Sequence, residues 1–139
     1  MLAEYGQIDI ALDPFPFCGG LTSCEALWMG VPVVTLPGER PVSRQTLGFL
    51  NVIGHDELAA SCEDDYVRIA AELAADAPRR ADLRRSLRAS MAASPLCDPD
   101  RFTPAMEAAF RGMWRRWCAG EPAETFDVAA VIDPPDRSR

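Results

Sequence analysis

The sequence predicts an α/β fold in which an incomplete parallel sheet is followed by helices. Two short apolar runs, residues 8–12 and 31–36, flank a glycine-containing loop and a short helical segment. From residue 43 onward, apolar residues recur at three- and four-residue steps, the spacing of amphipathic helices. The order strand, loop, helix, strand predicts a βαβ unit with parallel, buried strands.

The ends of the βαβ elements follow from residues that interrupt regular structure. The first run stops at an Asp-Pro pair and the second at a Pro-Gly pair. Thr22 or Ser23 is expected to cap the intervening helix, because a hydroxyl can accept a hydrogen bond from a free N–H at a helix start. Gly30 is expected to end that helix.

Four more helices are predicted from apolar positions at helical spacing. Gly54 follows the first of them and should end it. The last set forms an apolar stripe. We interpret Met113, Trp114 and Trp117 as packing positions rather than a sugar platform, and we expect the stripe to be an interface deprived of its partner. The positions are Thr46, Phe49, Leu50 and Ile53; Tyr66, Ile69, Ala70 and Leu73; Leu83, Leu87 and Met91; Phe102, Met106, Phe110, Met113 and Trp117.

The predicted sheet is too small to stand alone. A doubly wound sheet usually has about four to six strands, and only two are visible here. We therefore expect the chain to begin in the middle of a domain and its first strand to have an open edge. Residues 121–139 contain three prolines and few large apolar groups, so we expect a disordered tail there.

The charge, hydropathy and cysteine content of the chain exclude several classes of function. The formal net charge of -7 argues against a nucleic-acid partner. No apolar run approaches the roughly 20 residues of a membrane span, and no secretory signal is visible, so we expect a cytoplasmic protein without a membrane partner. Five cysteines without a C-x-x-C pair and a single histidine predict neither a metal site nor a disulfide framework.

The loop between the two strands is the predicted ligand site. Ligands of open α/β sheets bind beyond the carboxyl ends of the strands, where loops meet helix N-termini. Unpaired N–H groups at the helix start can bind a diphosphate, and an acid one turn later can accept bonds from a ribose diol. The candidate ligand-binding residues of this loop and helix are Gly19, Gly20, Leu21, Thr22, Ser23 and Glu25.

A structural interpretation of the same loop is equally compatible with its spacing. The loop has neither a G-x-G-x-x-G fingerprint nor a P-loop. Gly19-Gly20 can be a tight turn, Thr22 the N-cap and Glu25 its capping-box partner. The spacing alone leaves both interpretations open.

Longer motifs resemble the O-GlcNAc transferase family, which includes the plant SPINDLY-type enzymes. The resemblance runs from about residue 5 to residue 120 and is most similar to bacterial members that carry tetratricopeptide repeats. It is carried by residues 9–17, Gly19, Thr22, residues 24–39 and Ser43-Arg44, with weaker matches at Asp65-Tyr66, Leu83-Arg84, residues 94–96, Met113-Trp114 and Cys118.

This resemblance implies a GT-B architecture, in which two Rossmann-like domains enclose a nucleotide sugar. Residues 1–120 would be the C-terminal, donor-binding portion of the catalytic region. The implied reaction is an inverting, metal-independent transfer of a sugar to a protein Ser or Thr, with UDP-GlcNAc as donor and no cofactor. The catalytic residues are expected upstream, so the isolated chain should be incomplete and inactive without its N-terminal half and repeats.

The resemblance also assigns roles to loop residues. Thr22 and the backbone around it would contact the phosphates, and Glu25 would bind the ribose. Animal enzymes have His-Thr-Thr where this chain has Gly20-Leu21-Thr22, so an imidazole and a hydroxyl are missing. Glu25 replaces the aspartate of the animal enzymes and agrees with SPINDLY.

Basic residues outside the loop also have a functional and a structural interpretation. Arg44 is a candidate phosphate contact, and an ion pair with Glu39 is the alternative. His55 is expected to be a surface or capping residue. The arginines between residues 79 and 88 have a regular helical spacing that indicates a solvated face.

Two other functions compete with a transferase. One is a non-catalytic nucleotide-binding remnant or accessory module, motivated by the missing strands and missing basic residues. The other is a small Rossmann domain of different chemistry, which the incomplete glycine fingerprint makes less favourable.

Overall fold

The computed structural model describes residues 2–128, and the chain divides into two compact units, Met1–Cys97 and Asp98–Arg139. Part of the predicted tail, residues 129–139, lies outside the described residues. The first unit contains β1 (Ala11–Leu12), α1 (Leu21–Trp28), β2 (Val33–Val34), α2 (Gln45–Ile53), α3 (Glu63–Ala75) and α4 (Ala77–Ala92), with 3-10 turns at Leu2–Gln7, Pro41–Ser43, Asp56–Leu58 and Pro95–Cys97. The second contains α5 (Pro99–Cys118).

The predicted βαβ unit is present. Strands β1 and β2 are parallel, with Ala11 opposite Val33 and Leu12 opposite Val34. A third extended segment, which the sequence analysis did not predict, joins the other side of β2 through a parallel bridge between Thr35 and Ala59. Within residues 2–128 no strand pairs with the outer edge of β1, and the Leu12 side chain is 58% exposed. The incomplete sheet predicted from the sequence is therefore confirmed.

The core of the first unit lies where helices α1 to α4 surround β2. Each of the four helices and the Asp56–Leu58 turn contributes one fully buried leucine: Leu27, Leu50, Leu58, Leu73 and Leu87. These residues keep water away from β2. Burial of their apolar surface is the main favourable contribution to the folding free energy of the unit.

Two helix ends occur at the predicted glycines. Gly30 and Gly54 have φ values of 79° and 78°, in the left-handed region that glycine adopts without strain. At Gly30 a Cβ atom would lie only 2.5 Å from the carbonyl oxygen of Arg84, so this glycine also allows α4 to approach the end of α1.

The arginines of α4 form only in part the solvated face predicted from their spacing. Arg84 donates to the carbonyl oxygens of Tyr5 (3.1 Å), Ile8 (2.7 Å) and Met29 (3.3 Å). Arg88 donates to the carbonyl oxygen of Trp28 at 2.7 Å. The carbonyl groups at the end of α1 need donors, and Arg84 and Arg88 supply them to Met29 and Trp28. Arg79 and Arg85 fit the prediction, because they form exposed ion pairs with Glu57 and Asp82.

The second unit is built on one amphipathic helix. Asp98 caps α5 by accepting a hydrogen bond from the N–H of Arg101 at 3.0 Å. The predicted apolar stripe is present and exposed, with Trp117 at 77%. Together with residues 121–126 it borders a cavity of about 880 Å³ lined by apolar side chains that include Phe110, Trp114 and Phe126. That this stripe is an interface stays a prediction.

Candidate functional site

A buried aspartate organises the loop between β1 and α1. The Asp13 side chain is only 3% exposed. Its Oδ1 accepts the backbone N–H of Gly19 at 2.6 Å, and its Oδ2 accepts the hydroxyl of Thr35 at 2.7 Å. The Asp13 N–H continues the sheet ladder by donating to the carbonyl oxygen of Val34 at 2.9 Å. One carboxylate thus ties the glycine turn to the end of β2.

A second set of contacts ties the loop to the start of α2. The Thr46 hydroxyl donates to the carbonyl oxygen of Gly19 at 3.1 Å and is 2.9 Å from the hydroxyl of Ser23. The N–H of Cys18 donates to the carbonyl oxygen of Val42 at 3.1 Å. The loop is therefore held on both sides by groups that the protein itself supplies.

The two loop glycines serve different purposes. A Cβ atom at Gly19 would lie 2.3 Å from Oγ of Ser23 and 3.1 Å from Oδ1 of Asp13. Internal packing requires this glycine, and its N–H already has an acceptor. At Gly20 the nearest atoms to a Cβ would be those of the exposed Gln45 side chain, at 3.0 Å and 3.9 Å.

Helix α1 begins earlier than predicted and without a side-chain cap. Gly20 occupies the N-cap position, so the prediction that Thr22 or Ser23 caps the helix is wrong. The reason is that the hydroxyl of Ser23 is buried against Thr46. In the part of the chain that the structure describes, the N–H groups of Leu21, Thr22 and Ser23 have no hydrogen-bond acceptor. They form the partial positive charge of a helix N-terminus.

Glu25 is held by a tyrosine from the preceding 3-10 turn. The Tyr5 hydroxyl lies 3.3 Å from Oε2 of Glu25 and 3.4 Å from the carbonyl oxygen of Thr22. Burial, followed by the charge and the hydrogen bond of Glu25, raises the pKa of Tyr5. Since Glu25 faces Tyr5 and makes no bond to the helix start, the capping-box interpretation is wrong.

A small pocket opens beside these groups. Its volume is about 150 Å³, and its walls include Tyr5, Leu12, Asp13, Thr22 and Val33. It lies beyond the carboxyl end of β1 and next to the start of α1, which is where open α/β sheets bind ligands. Thr22 and Ser23 line this pocket, and the Tyr5 hydroxyl joins Glu25 to Thr22 at its border.

Arg44 is bonded to the turn after β2, and its phosphate contact stays a prediction. Its Nη1 donates to the carbonyl oxygen of Gly38 at 2.7 Å and so stabilises the turn after β2. Among the described residues it makes no ion pair with Glu39. His55 stands before the Asp56–Leu58 turn with Nδ1 3.2 Å from Oε1 of Glu57, as expected for a capping position.

Comparison with known proteins decides the family. The profile of Glycosyl transferase family 41 matches residues 4–106, which is most of the chain. The chain belongs to glycosyl transferase family 41. This assignment confirms the family resemblance found in the sequence.

Curated relatives come from plants and animals. A rice (Oryza sativa subsp. japonica) protein named "Probable UDP-N-acetylglucosamine--peptide N-acetylglucosaminyltransferase SPINDLY" is 45% identical over 120 residues, covering 86% of this chain and 13% of the rice protein. The Caenorhabditis elegans UDP-N-acetylglucosamine--peptide N-acetylglucosaminyltransferase is 36% identical, covering 86% and 10%. The family-41 chain thus spans only a small part of the length of these relatives.

A solved structure supports the fold. A mutant of the Thermobaculum terrenum O-GlcNAc transferase superposes with a TM-score of 0.78 at 43% identity, covering 86% of this chain and 23% of the other. The predicted GT-B fold class is confirmed by this similarity. Within residues 2–128 of the family-41 chain, no helix is long and apolar enough to cross a membrane.

Sequence reasoning missed three contributors to this family-41 site: Tyr5, Asp13 and Thr46. In the sequence, Asp13 marks the end of a strand within the residues that carry the family resemblance, and Thr46 marks a helix position. A polar residue placed among apolar neighbours was the available signal, because a buried polar side chain needs hydrogen-bond partners.

Proposed function

We propose that this chain is the donor-binding part of a nucleotide-sugar-dependent protein O-glycosyltransferase that uses UDP-GlcNAc. The observation that carries the proposal is the uncapped start of α1, where the N–H groups of Leu21, Thr22 and Ser23 lack acceptors beside a pocket. Family membership and the names of the relatives support this choice of donor.

The start of α1 binds the diphosphate of the donor in this proposal. Three N–H groups and the helix dipole favour an anion at this position. The exposed hydroxyl of Thr22 adds a donor, whereas Leu21 contributes only its backbone. The Ser23 hydroxyl is occupied by Thr46, so Ser23 also acts through its N–H. The diphosphate needs no metal or cofactor if these groups stabilise its charge as it departs.

Glu25 binds the ribose of the nucleoside. Tyr5 fixes one carboxylate oxygen, and Oε1 accepts no hydrogen bond within the described region. An oriented carboxylate with a free oxygen can accept hydrogen bonds from a sugar diol. Because Tyr5 already restricts the orientation of the Glu25 side chain, less conformational entropy is lost when the ribose binds.

The transfer itself requires residues outside this chain. A Ser or Thr hydroxyl of the acceptor protein attacks the anomeric carbon of the donor. A new carbon–oxygen bond forms while the bond to the diphosphate breaks, and UDP leaves with the electron pair. We propose that the base that takes the acceptor proton lies in an N-terminal transferase half preceded by tetratricopeptide repeats, and that the protein works in the cytoplasm.

Nucleotide titration tests the donor assignment. Calorimetry with the full-length gene product should show binding of UDP and UDP-GlcNAc in preference to GDP-fucose. Glu25→Ala should weaken binding about tenfold, as expected when a hydrogen bond to a charged group is lost. Glu63→Ala, which removes an exposed acid from the first turn of α3, is the control. Absence of nucleotide binding by the unsubstituted protein would contradict the proposal.

A transfer assay separates the enzyme from the non-catalytic alternative. Incubation with radiolabelled UDP-GlcNAc and acceptor proteins should place the label on Ser or Thr. Nucleotide binding without any transfer would instead support a nucleotide-binding accessory module.

A further inference from the structure

The side chain of Gln45 occupies the space next to Gly20 at the proposed diphosphate site. A Cβ atom at Gly20 would lie 3.0 Å from Oε1 of Gln45 and 3.9 Å from its Cδ. The carboxamide therefore stands where a side chain of residue 20 would begin. Gln45 is exposed, and within residues 2–128 its amide makes no hydrogen bond.

The backbone of Gln45 is fixed relative to the loop. Its N–H donates to Sγ of Cys18 at 3.3 Å, and Cys18 in turn donates from Sγ to the carbonyl oxygen of Val42 at 3.1 Å. The next residue, Thr46, donates to the carbonyl oxygen of Gly19. The backbone of the first residue of α2 is thus held next to Gly20, which keeps the Gln45 side chain within reach of the start of α1.

The chemistry of the carboxamide suits an anion. Its Nε2 carries two hydrogen-bond donors, and rotation by 180° exchanges oxygen and nitrogen without changing the shape. Arg44, the neighbouring candidate from the sequence, is directed to the carbonyl oxygen of Gly38. Gln45 is therefore the side chain with unused hydrogen-bond donors that lies next to Gly20, whereas the Thr46 hydroxyl is already bonded to Gly19 and Ser23.

We propose that Gln45 is a donor-binding residue that donates hydrogen bonds from Nε2 to the diphosphate held by α1, in place of a side chain at Gly20. This assignment rests on the proposed function. The ligand it contacts is a nucleoside diphosphate, free or attached to a sugar, and the nucleoside alone does not reach it.

The test compares UDP with uridine, which lacks the phosphates, as ligands of the full-length gene product. Affinities are measured by calorimetry for UDP and by ligand-observed NMR for uridine. Gln45→Ala should weaken UDP about tenfold and leave uridine unchanged. Gln45→Glu should weaken UDP further, because a carboxylate repels the phosphates. Asn51→Ala, an exposed amide near the other end of α2, is the control and should bind both ligands normally.

The outcomes separate this assignment from the proposed function. If the unsubstituted protein binds no UDP, both are overturned. If it binds UDP and Gln45→Ala binds it equally well, only the role of Gln45 is overturned. An equal loss of UDP and uridine affinity also overturns that role, since it indicates a general disturbance of the site. Circular dichroism of each variant confirms that the fold is retained.

Discussion

Oδ1 of Asp13 accepts the backbone N–H of Gly19 at 2.6 Å, which closes the turn between the first strand and the first helix. The same carboxylate accepts the hydroxyl of Thr35 at the end of the second strand. The start of α1 therefore owes its position to a buried side chain that also lines the small pocket. Stability and nucleotide binding should be linked through this one residue.

Removing the Asp13 carboxylate should destabilise the first unit. Asp13→Ala leaves the buried donors of Gly19 and Thr35 without acceptors, at a cost of about 2–5 kcal/mol in the free energy of unfolding. Asp13→Asn keeps one acceptor oxygen and should cost less. Urea denaturation followed by circular dichroism measures both, and Asp9→Ala on the exposed side of the chain is the control. Equal stability of Asp13→Ala and the unsubstituted chain would contradict this role.

Substitution of Gly19 should also destabilise the fold, although its sequence context suggested a role in ligand approach. In Gly19→Ala the new methyl group meets Oγ of Ser23 at 2.3 Å, and Ser23 cannot yield freely because it is paired with Thr46. Overpacking of this kind costs about 1–3 kcal/mol. The measurement is the midpoint of urea unfolding.

Gly48→Ala provides the matched control for Gly19. Gly48 lies inside α2, and nothing lies within 4 Å of the position its Cβ would take. Alanine should therefore stabilise the chain by about 0.5–1 kcal/mol, the usual difference between these residues inside a helix. A decrease in stability for Gly48→Ala, or none for Gly19→Ala, would show that local packing is not what distinguishes the two glycines.

The sequence predicted those features that depend on neighbouring residues. Gly54 ends α2 as expected, since a left-handed residue after an apolar helical run is a local signal. The pairing of Ser23 with Thr46 could not be predicted, because it joins residues 23 positions apart. Because of that pairing, the Ser23 hydroxyl does not cap α1, and among the described residues the first N–H groups of the helix have no acceptor. Long-range side-chain contacts, rather than propensities, thus determined the chemistry of the loop.

The third extended segment and the contacts of the α4 arginines also could not be predicted from neighbouring residues. Only one residue, Ala59, bridges to Thr35 in the third extended segment, which is too short for a periodic pattern. Arg84 and Arg85 are adjacent in sequence, but only Arg84 meets the end of α1. Helical spacing shows which residues share a face, and the fold decides what that face meets.

Arg84 and Arg85 should therefore differ in their contribution to stability. Arg84→Ala removes the donors to three carbonyl oxygens and should lower the free energy of unfolding by about 1.5–3 kcal/mol. Arg85→Ala breaks an exposed pair with Asp82 and should change it by less than about 0.5 kcal/mol. Parallel urea titrations compare the two variants. A similar loss for both would restore the interpretation of α4 as a uniformly solvated face.

The two tyrosines of the chain should report the environment of the loop through their titration. Burial, followed by the charge of Asp13, raises the pKa of Tyr66, and burial followed by Glu25 raises that of Tyr5. The folded protein therefore keeps both hydroxyls protonated at a pH where the unfolded chain loses them. This contribution to stability is fully present below about pH 10 and is lost as the pH rises through the folded pKa values.

Absorbance of tyrosinate near 295 nm measures this shift, with a midpoint expected above 10 in buffer and near 10 in concentrated urea. In a Tyr66→Phe background only Tyr5 titrates. Adding Glu25→Gln to that background removes the carboxylate charge next to Tyr5 and should move the midpoint downward, toward the unfolded value. Glu63→Gln is the control. Residue 63 lies on α3, and its substitution should leave the titration midpoint of Tyr5 unchanged. If Glu25→Gln has no effect on the midpoint, Tyr5 does not hold that carboxylate.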